Sequence, residues 1–263
     1  MKIGVIGLGI IGSACKFGFE KLGHKTLVHD IRLGTKIQDV LDAKIIYVCV
    51  PTPSNEDGSC NTSIVEQVVY ELKDNNYTGV IAIKSTVKPT LTQRLIDETR
   101  LSICFVPEFL RERCAITDFT ENHSVLAIGT HSDEIFELVK KCHGHYPKHI
   151  VRLLPTEAEL LKYYSNVFNA MKITFANEIY EICNKLDLNY SDIKNAFIKR
   201  ETTKDIYLDV NDNFRGYAGV CLPKDTKALD SFVKELGLDL KLFEIIDKEN
   251  DKFIKTVFEG MRL

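Results

Sequence analysis

Three stretches of the sequence combine residue types and spacings that suit chemistry. The first is GYAGVCLPKD, residues 216–225, where Cys221 stands just ahead of a proline able to open a helix. A helix N-terminus lowers a thiol's pKa and favours the nucleophilic thiolate. Asp225, about one helical turn further on, is placed to orient a base or a water, and glycines at 216 and 219 leave backbone open to a ligand. The competing reading of Cys221 is a buried structural thiol. The second stretch holds Lys162 and Asn166, four residues apart and therefore on one helical face. A lysine beside an asparagine can hold an alkoxide or a carbonyl oxygen by charge and hydrogen bond. The competing reading is a solvated lysine on a long helix, a description that Glu157, Glu159, Lys172 and Glu178 also fit. His143, His145 and His149 lie close together, but no carboxylates accompany them, so they read as surface residues and no metal site is expected.

The third stretch is GLGIIG, with Gly7, Gly9 and Gly12 directly after an apolar run and Ile10 and Ile11 opening a helical pattern. Such glycines permit a tight turn, close approach of backbone to a pyrophosphate, and close packing of helix on strand. Asp30 follows twenty-three residues after Gly7, near the spacing expected for a carboxylate that bonds a ribose hydroxyl. It would repel a 2′-phosphate, which favours NAD over NADP, whereas Arg32 two residues later could receive that phosphate and weakens the preference. Polar clusters also follow later apolar runs: PTPSNEDGS with Pro51 and Thr52, then Ser85 and Thr86, then Pro107 to Glu112. Taken singly, each reads more often as a solvated turn than as a site wall.

These residues need elements to hold them. From Lys2 to about Val151 short β-branched runs (KIGVI, KTLVH, KIIYVCV, GVIAIK, LSICFV, SVLAIG, HIVRL) alternate with amphipathic stretches, the pattern of a parallel sheet covered by helices. One such stretch, 61–73, starts at Asn61 as a candidate cap. Beyond Pro155 the period becomes helical: 156–186, with Thr156 and Glu159 spaced as a capping box, then 191–200 after Asn189, then 223–236 and 239–260 flanking Gly237. The expected organisation is a sheet domain over 1–154 and a helical domain over 155–263. With 34 basic against 37 acidic residues in 263, the charges nearly cancel, which argues against a nucleic-acid or membrane-surface binder. No apolar run approaches the ~20 residues that span a bilayer. Lys2 and IGVIGLGIIGSAC imitate a signal peptide, yet four glycines interrupt the run, as suits a turn. Eight scattered cysteines without C-x-x-C pairs indicate neither a disulfide scaffold nor zinc, and a reducing cytoplasm is the expected compartment.

Taken together, GLGIIG, VPTP, KSTV, PEFLRE, the run from Glu159 through Lys162 and Asn166 into KITFANE, and CLPKDTKAL resemble the UDP-glucose/GDP-mannose dehydrogenase family, in the family's order and from end to end. The resemblance implies an α/β fold, with a Rossmann-type parallel-sheet NAD domain followed by an all-helical central and dimerisation domain. It implies two successive oxidations of a nucleotide sugar's C6 alcohol to a carboxylate, most readily UDP-glucose to UDP-glucuronate, with two NAD reduced. Cys221 would trap the aldehyde as a thiohemiacetal that is oxidised to a thioester, a role suited to a thiolate. Lys162 and Asn166 would stabilise the developing oxyanion, Asp225 would act as base through a water or with Lys162, and Glu108 would activate the hydrolytic water. Thr86 and Glu112 would border the nicotinamide, Gly7, Gly9, Ile10, Ile11, Gly12, Asp30, Arg32, Pro51 and Thr52 would line the cofactor, and Phe109, Leu110, Arg111, Tyr217 and Gly219 would meet the substrate. A homodimer through the long helix from 155 is expected.

The sequence departs from the family pattern in four places. Ala218 stands where a first glycine of a pair is usual. The arginine that reaches substrate across a dimer has no match in register, Lys204 and Arg215 being the nearby candidates. The segment between Asp30 and the third strand is short, and Leu263 falls where a connecting helix would lead into a second nucleotide-binding domain. Two alternatives therefore stand beside the double oxidation: a single-step hydroxy-acid dehydrogenase, for which Cys221 and Glu108 would be superfluous, and an NAD-binding relative that no longer turns over.

Overall fold

A computed structural model of the chain describes residues 1–257. The chain divides into two compact units, one formed by residues 1–55 and 60–162, the other by 56–59 and the residues from Tyr163 onward.

The first unit is built on seven strands, β1 (Lys2–Ile6), β2 (Lys25–His29), β3 (Ile45–Val48), β4 (Val80–Ile83), β5 (Ile103–Phe105), β6 (Val125–Gly129) and β7 (His149–Leu153), in the order β2-β1-β3-β4-β5-β6-β7. All seven apolar runs of the sequence form strands. The first five are mutually parallel, but the sheet is not parallel throughout: β6 meets β5 antiparallel at the single pair Phe105 and Gly129, and β7 then runs parallel to β6. Helices α1 (Ile10–Lys21), α2 (Ser63–Asp74), α3 (Leu91–Thr99), α4 (Ala115–Thr120) and α5 (Asp133–His143) cover it. Side chains along the central strands alternate between two cores, as a period of two demands. Ile46, Val48, Ile81, Ile83 and Phe105 pack with Val65, Val69, Leu72 and Leu95 on one face. Ile45, Tyr47, Ala82 and Cys104 pack with Cys15, Phe19, Phe119 and Val139 on the other. Burial on both faces explains why these strands read as unbroken apolar runs.

Two expectations for this unit change. Asn61 is not the cap of α2, since it lies one residue ahead of the helix N-cap Thr62, where its side chain accepts from the amide and hydroxyl of Ser63. His143 is not a surface residue. It is fully buried among Phe19, Tyr47, Phe119 and His123, and its Nδ1 faces the Val139 carbonyl at 2.9 Å. His145 and His149 are exposed.

The long helix α6 (Pro155–Lys185) belongs to the first unit through Lys162 and to the second from Tyr163. The expected capping box at its start does not form. Glu157 instead accepts from the Leu154 amide at 2.8 Å, while Glu159 turns inward. The second unit adds α7 (Tyr190–Phe197), α8 (Leu222–Glu235) and α9 (Leu242–Asn250), with a non-helical stretch between α7 and α8. Asn189 caps α7 by accepting from the Ser191 amide. The helix expected over 239–260 is only nine residues long. Its last residue, Asn250, uses its side chain on the backbone of Tyr217, and the chain beyond pairs Gly216 with Lys255 in a short parallel bridge. Residues 258–260 of that expectation lie outside the described residues.

Candidate active site

In the first unit the strand order reverses beside β1, so the turns after β1 and β3 flank the crevice where open α/β sheets receive ligands. Gly7 holds that turn at φ +87°, and a side chain there would meet the Cys49 carbonyl. Gly12 lies so close to the Gly7 carbonyl that a Cβ would sit 1.8 Å from its oxygen, whereas a Cβ on Gly9 would meet nothing. Helix α1 opens at Ile10 and Ile11 with its first amides directed at this turn. Asp30 directly follows β2 and is buried. Its carboxylate accepts from the amides of Leu8, at 2.6 Å, and Arg32, at 2.8 Å, and from the Arg32 guanidinium. The Arg32 hydrogen bonds, helped by the Leu8 amide and opposed by burial, hold the Asp30 carboxyl well below the usual carboxylate range. Arg32 also donates to the Leu8 carbonyl, so its guanidinium spans the glycine turn.

After β3, Pro51 is exposed and Thr52 buried. After β4, Ser85 donates to the Val50 carbonyl at 2.7 Å and Thr86 follows, its carbonyl accepting from the Cys60 thiol. After β5, Glu108 is joined to Lys162 of α6: the ammonium donates to the Glu108 carboxylate at 2.8 Å and to its carbonyl at 2.7 Å. The other carboxylate oxygen accepts from the Leu110 amide at 2.7 Å. Burial works against charge on Glu108, but the Lys162 ammonium outweighs it and leaves the carboxyl below its ordinary value. The Lys162 ammonium also lies 5.8 Å from the centre of the Phe109 ring, within cation–π range. Leu110 packs into the core, Arg111 grips the buried Asp118, and Glu112 opens a short 3-10 turn. The loop carrying Phe109 to Glu112 is thus held from both ends.

In the second unit Cys221 is the N-cap of α8, exposed to solvent, with Pro223 in the first turn and the Asp225 amide donating to the Cys221 carbonyl. Asp225 is buried, and its two oxygens accept from Asn166 at 2.6 Å and Lys224 at 2.5 Å. The sequence therefore builds a thiol at a positive helix end, backed one turn inward by a carboxylate that an amide fixes. Gly219 supplies φ +81° on the approach to Cys221. Tyr217 is buried, its amide and carbonyl both taken by Asn250. Of the two cationic candidates, Lys204 is exposed, and Arg215 is held by Asn177 and Glu181 between the rings of Tyr180 and Phe253. Among the described residues no cluster of His, Cys, Asp or Glu could hold a metal ion, and no helix is long and apolar enough to cross a membrane.

Two residues of the first unit escaped the sequence reading. Lys84, first of the KSTV string, is buried and donates to the Val106 carbonyl. Glu159, expected on the surface, is fully buried and accepts from the amides of Thr90 and Thr92. Its spacing of three from Lys162 and seven from Asn166 was the available signal, since all three share one helical face.

Residues 32–146 match the model of the UDP-glucose/GDP-mannose dehydrogenase family's NAD binding domain, and residues 156–252 match that of its central domain. The chain belongs to this family. Among relatives, the UDP-glucose 6-dehydrogenase of Rickettsia felis is 30% identical over 227 residues, covering 81% of this chain and 48% of that protein. The Pseudomonas aeruginosa UDP-glucose 6-dehydrogenase is 28% identical over 241 residues, with 85% and 52% covered. The chain thus spans about half the length of these family members. A solved UDP-glucose dehydrogenase from Pyrobaculum islandicum superposes with a TM-score of 0.86 at 26% identity, over 95% of this chain and 68% of that one. The fold is also that of a Mycobacterium tuberculosis 3-hydroxyisobutyrate dehydrogenase, with a TM-score of 0.77 at 13% identity over 96% and 93% of the two chains.

Proposed function

We propose that this member of the family oxidises the C6 alcohol of a nucleotide sugar, UDP-glucose foremost, to the carboxylate in two NAD-dependent steps. The observation that carries the reading is the exposed Cys221 thiol at the N-terminus of α8, with Asp225 fixed by Asn166 one turn behind it. A single hydride transfer from a small hydroxy acid needs no such thiol, so Cys221 favours the double oxidation over the one-step chemistry that the shared fold would also permit.

The residues of the glycine turn, with Asp30, would hold the adenine half of NAD, whose nicotinamide would accept the hydride in each step. In the first step the alcohol loses a proton and a hydride and becomes the aldehyde. The Cys221 thiolate then adds to the aldehyde carbon, giving a thiohemiacetal whose oxyanion Lys162 and Asn166 stabilise. Loss of a second hydride leaves a thioester. Water, activated through Glu108, attacks the acyl carbon and expels the thiolate, so that each turnover consumes one alcohol, two NAD and one water. Asp225 serves as base through a water or with Lys162. Phe109, Leu110, Arg111, Tyr217 and Gly219 border the sugar nucleotide, and Thr86 and Glu112 border the nicotinamide. The cofactor-binding part is read as residues 1–154 and the catalytic helical part as 155–263, with α6 starting at that division although its residues through Lys162 belong to the first compact unit. Cys221 must stay reduced to act, a need that a reducing cytoplasm would meet.

A homodimer forms through α6. Tyr164, Phe168, Phe175, Ile182 and Leu186 of that helix are exposed at spacings of four and seven, a stripe suited to a second copy. The test of function is incubation with NAD and UDP-glucose, counting NADH per sugar consumed. Two NADH and a uronate support the reading, one NADH on a small hydroxy acid supports the single-step alternative, and NAD binding without reduction of either supports the inactive relative.

A further inference from the structure

Glu159 is a carboxylate with no solvent contact, and its two oxygens face the amides of Thr90 at 2.6 Å and Thr92 at 2.7 Å. These amides belong to the first turn of α3, whose own N-cap residue, Thr90, supplies no side-chain cap and sits in the left-handed region at φ +86°. A threonine in that conformation costs on the order of 1–3 kcal/mol and persists only where its surroundings impose it. The carboxylate therefore acts as the cap that the local sequence fails to provide, from a helix more than sixty residues away. The segment it fixes runs back from Thr90 through Lys88 to Thr86 and Ser85, and its other end is tied where Ser85 donates to the Val50 carbonyl. One helical turn along α6, Lys162 ties down the neighbouring loop through Glu108. The first eight residues of α6 thus fasten two of the strand-end loops of the first unit that carry candidate site residues, those after β4 and β5.

We infer that Glu159 is a positioning residue, which holds the loop bearing Thr86 in the conformation that receives the nicotinamide half of the cofactor; this rests on the proposed NAD-dependent function. Without the carboxylate, binding must order the loop, and that cost falls on contacts to the nicotinamide rather than on the adenine half held at the glycine turn. The test compares NAD with ADP-ribose, which carries the adenine half and lacks nicotinamide, by calorimetric titration of wild type, Glu159→Gln and Glu159→Asp, each first checked for cooperative melting. Glu159→Gln presents an amide that can satisfy only one of the two N–H groups. The expected result is a rise of about tenfold in the Kd for NAD with that for ADP-ribose changed less than about twofold, and an intermediate rise in Glu159→Asp, which keeps the charge on a shorter arm. Should Glu159→Gln fail to fold, the Glu159→Asp comparison decides alone. Unchanged NAD affinity, or equal losses for both ligands in a folded variant, would overturn the inference. A wild-type protein that binds ADP-ribose and NAD equally would overturn it too, while one that binds neither would refute the cofactor reading beneath it.

Discussion

Gly9 and Gly12 stand three residues apart in one turn, yet substitution of each by alanine should fail in a different way. At Gly12 the new Cβ would lie 1.8 Å from the Gly7 carbonyl oxygen and 3.0 Å from its carbon. Both obstacles are backbone, so no side-chain rotation relieves the clash, and either α1 or the turn after β1 must move. Overpacking of this kind costs about 1–3 kcal/mol or more. At roughly 2–4 °C per kcal/mol for a chain of this size, a cost of about 3 kcal/mol lowers the melting temperature by about 6–12 °C. At Gly9 a Cβ meets nothing within 4 Å and φ is −70°, which alanine adopts without strain. The weaker N-cap and the stiffer unfolded chain offset one another to within about 1 kcal/mol. The Gly9 methyl group would instead occupy the space through which a pyrophosphate approaches the amides at the start of α1. Loss of one charge-assisted hydrogen bond there amounts to about 1.5–3 kcal/mol, or 10- to 100-fold in Kd. Thermal melting and calorimetric titration with NAD separate the two effects. Gly12→Ala should melt early, and Gly9→Ala should melt like wild type but bind NAD weakly. A Gly9→Ala variant with wild-type affinity would show that the cofactor's phosphates do not pass this turn.

Three further outcomes follow from the geometry. Cys221→Ser should keep wild-type stability, because the residue is exposed, while turnover stalls after the first oxidation or is lost; complete two-step oxidation by this variant would exclude a thioester on Cys221. Lys162→Ala strands the largely buried Glu108 carboxylate and should destabilise the first unit by about 3 kcal/mol, visible in urea unfolding; a loss under about 1 kcal/mol would mean that Glu108 has another route to compensation. Burial pushes His123 down to about 4 and His143 lower than its ordinary value, so both fold neutral and their contribution is complete above about pH 6.5. It is lost as acid charges the unfolded chain between pH 6.5 and 4, by about 3 kcal/mol for His123. Glu159, raised by burial to about 7, works the other way, its folded carboxyl favouring the proton between pH 4.5 and 7. His123→Phe should therefore flatten the fall in melting temperature from pH 6.5 to 4.5, and an unchanged slope would contradict the burial argument.

The sheet and its glycine turn were legible because their signals are local: apolar runs mark strands buried on both faces, and GLGIIG carries its own conformational requirement. The Cys221, Asp225 and Asn166 grouping was legible in part, since one-turn spacings put Cys221 beside Asp225 and Lys162 beside Asn166, but only folding brings Asn166 to 2.6 Å from Asp225. What stayed hidden depends on partners distant in sequence. Glu159 is buried because two amides of α3 satisfy it, and His143 because four rings enclose it. The apolar period after Gly237 predicts helix to 260, whereas the chain turns at Asn250 once its side chain clasps Tyr217, and Gly216 takes up pairing with Ile254 and Thr256. The antiparallel step from β5 to β6 left no trace in composition, since it alters direction and not burial.

Cys221 is proposed to carry a sugar through two oxidations without release of the aldehyde. The most direct measurement of this is the ratio of NADH formed to UDP-glucose consumed by the full chain, with the product identified by mass. A ratio of two and a uronate are the expected result. A ratio of one with free aldehyde or ketone as the product would contradict the proposal.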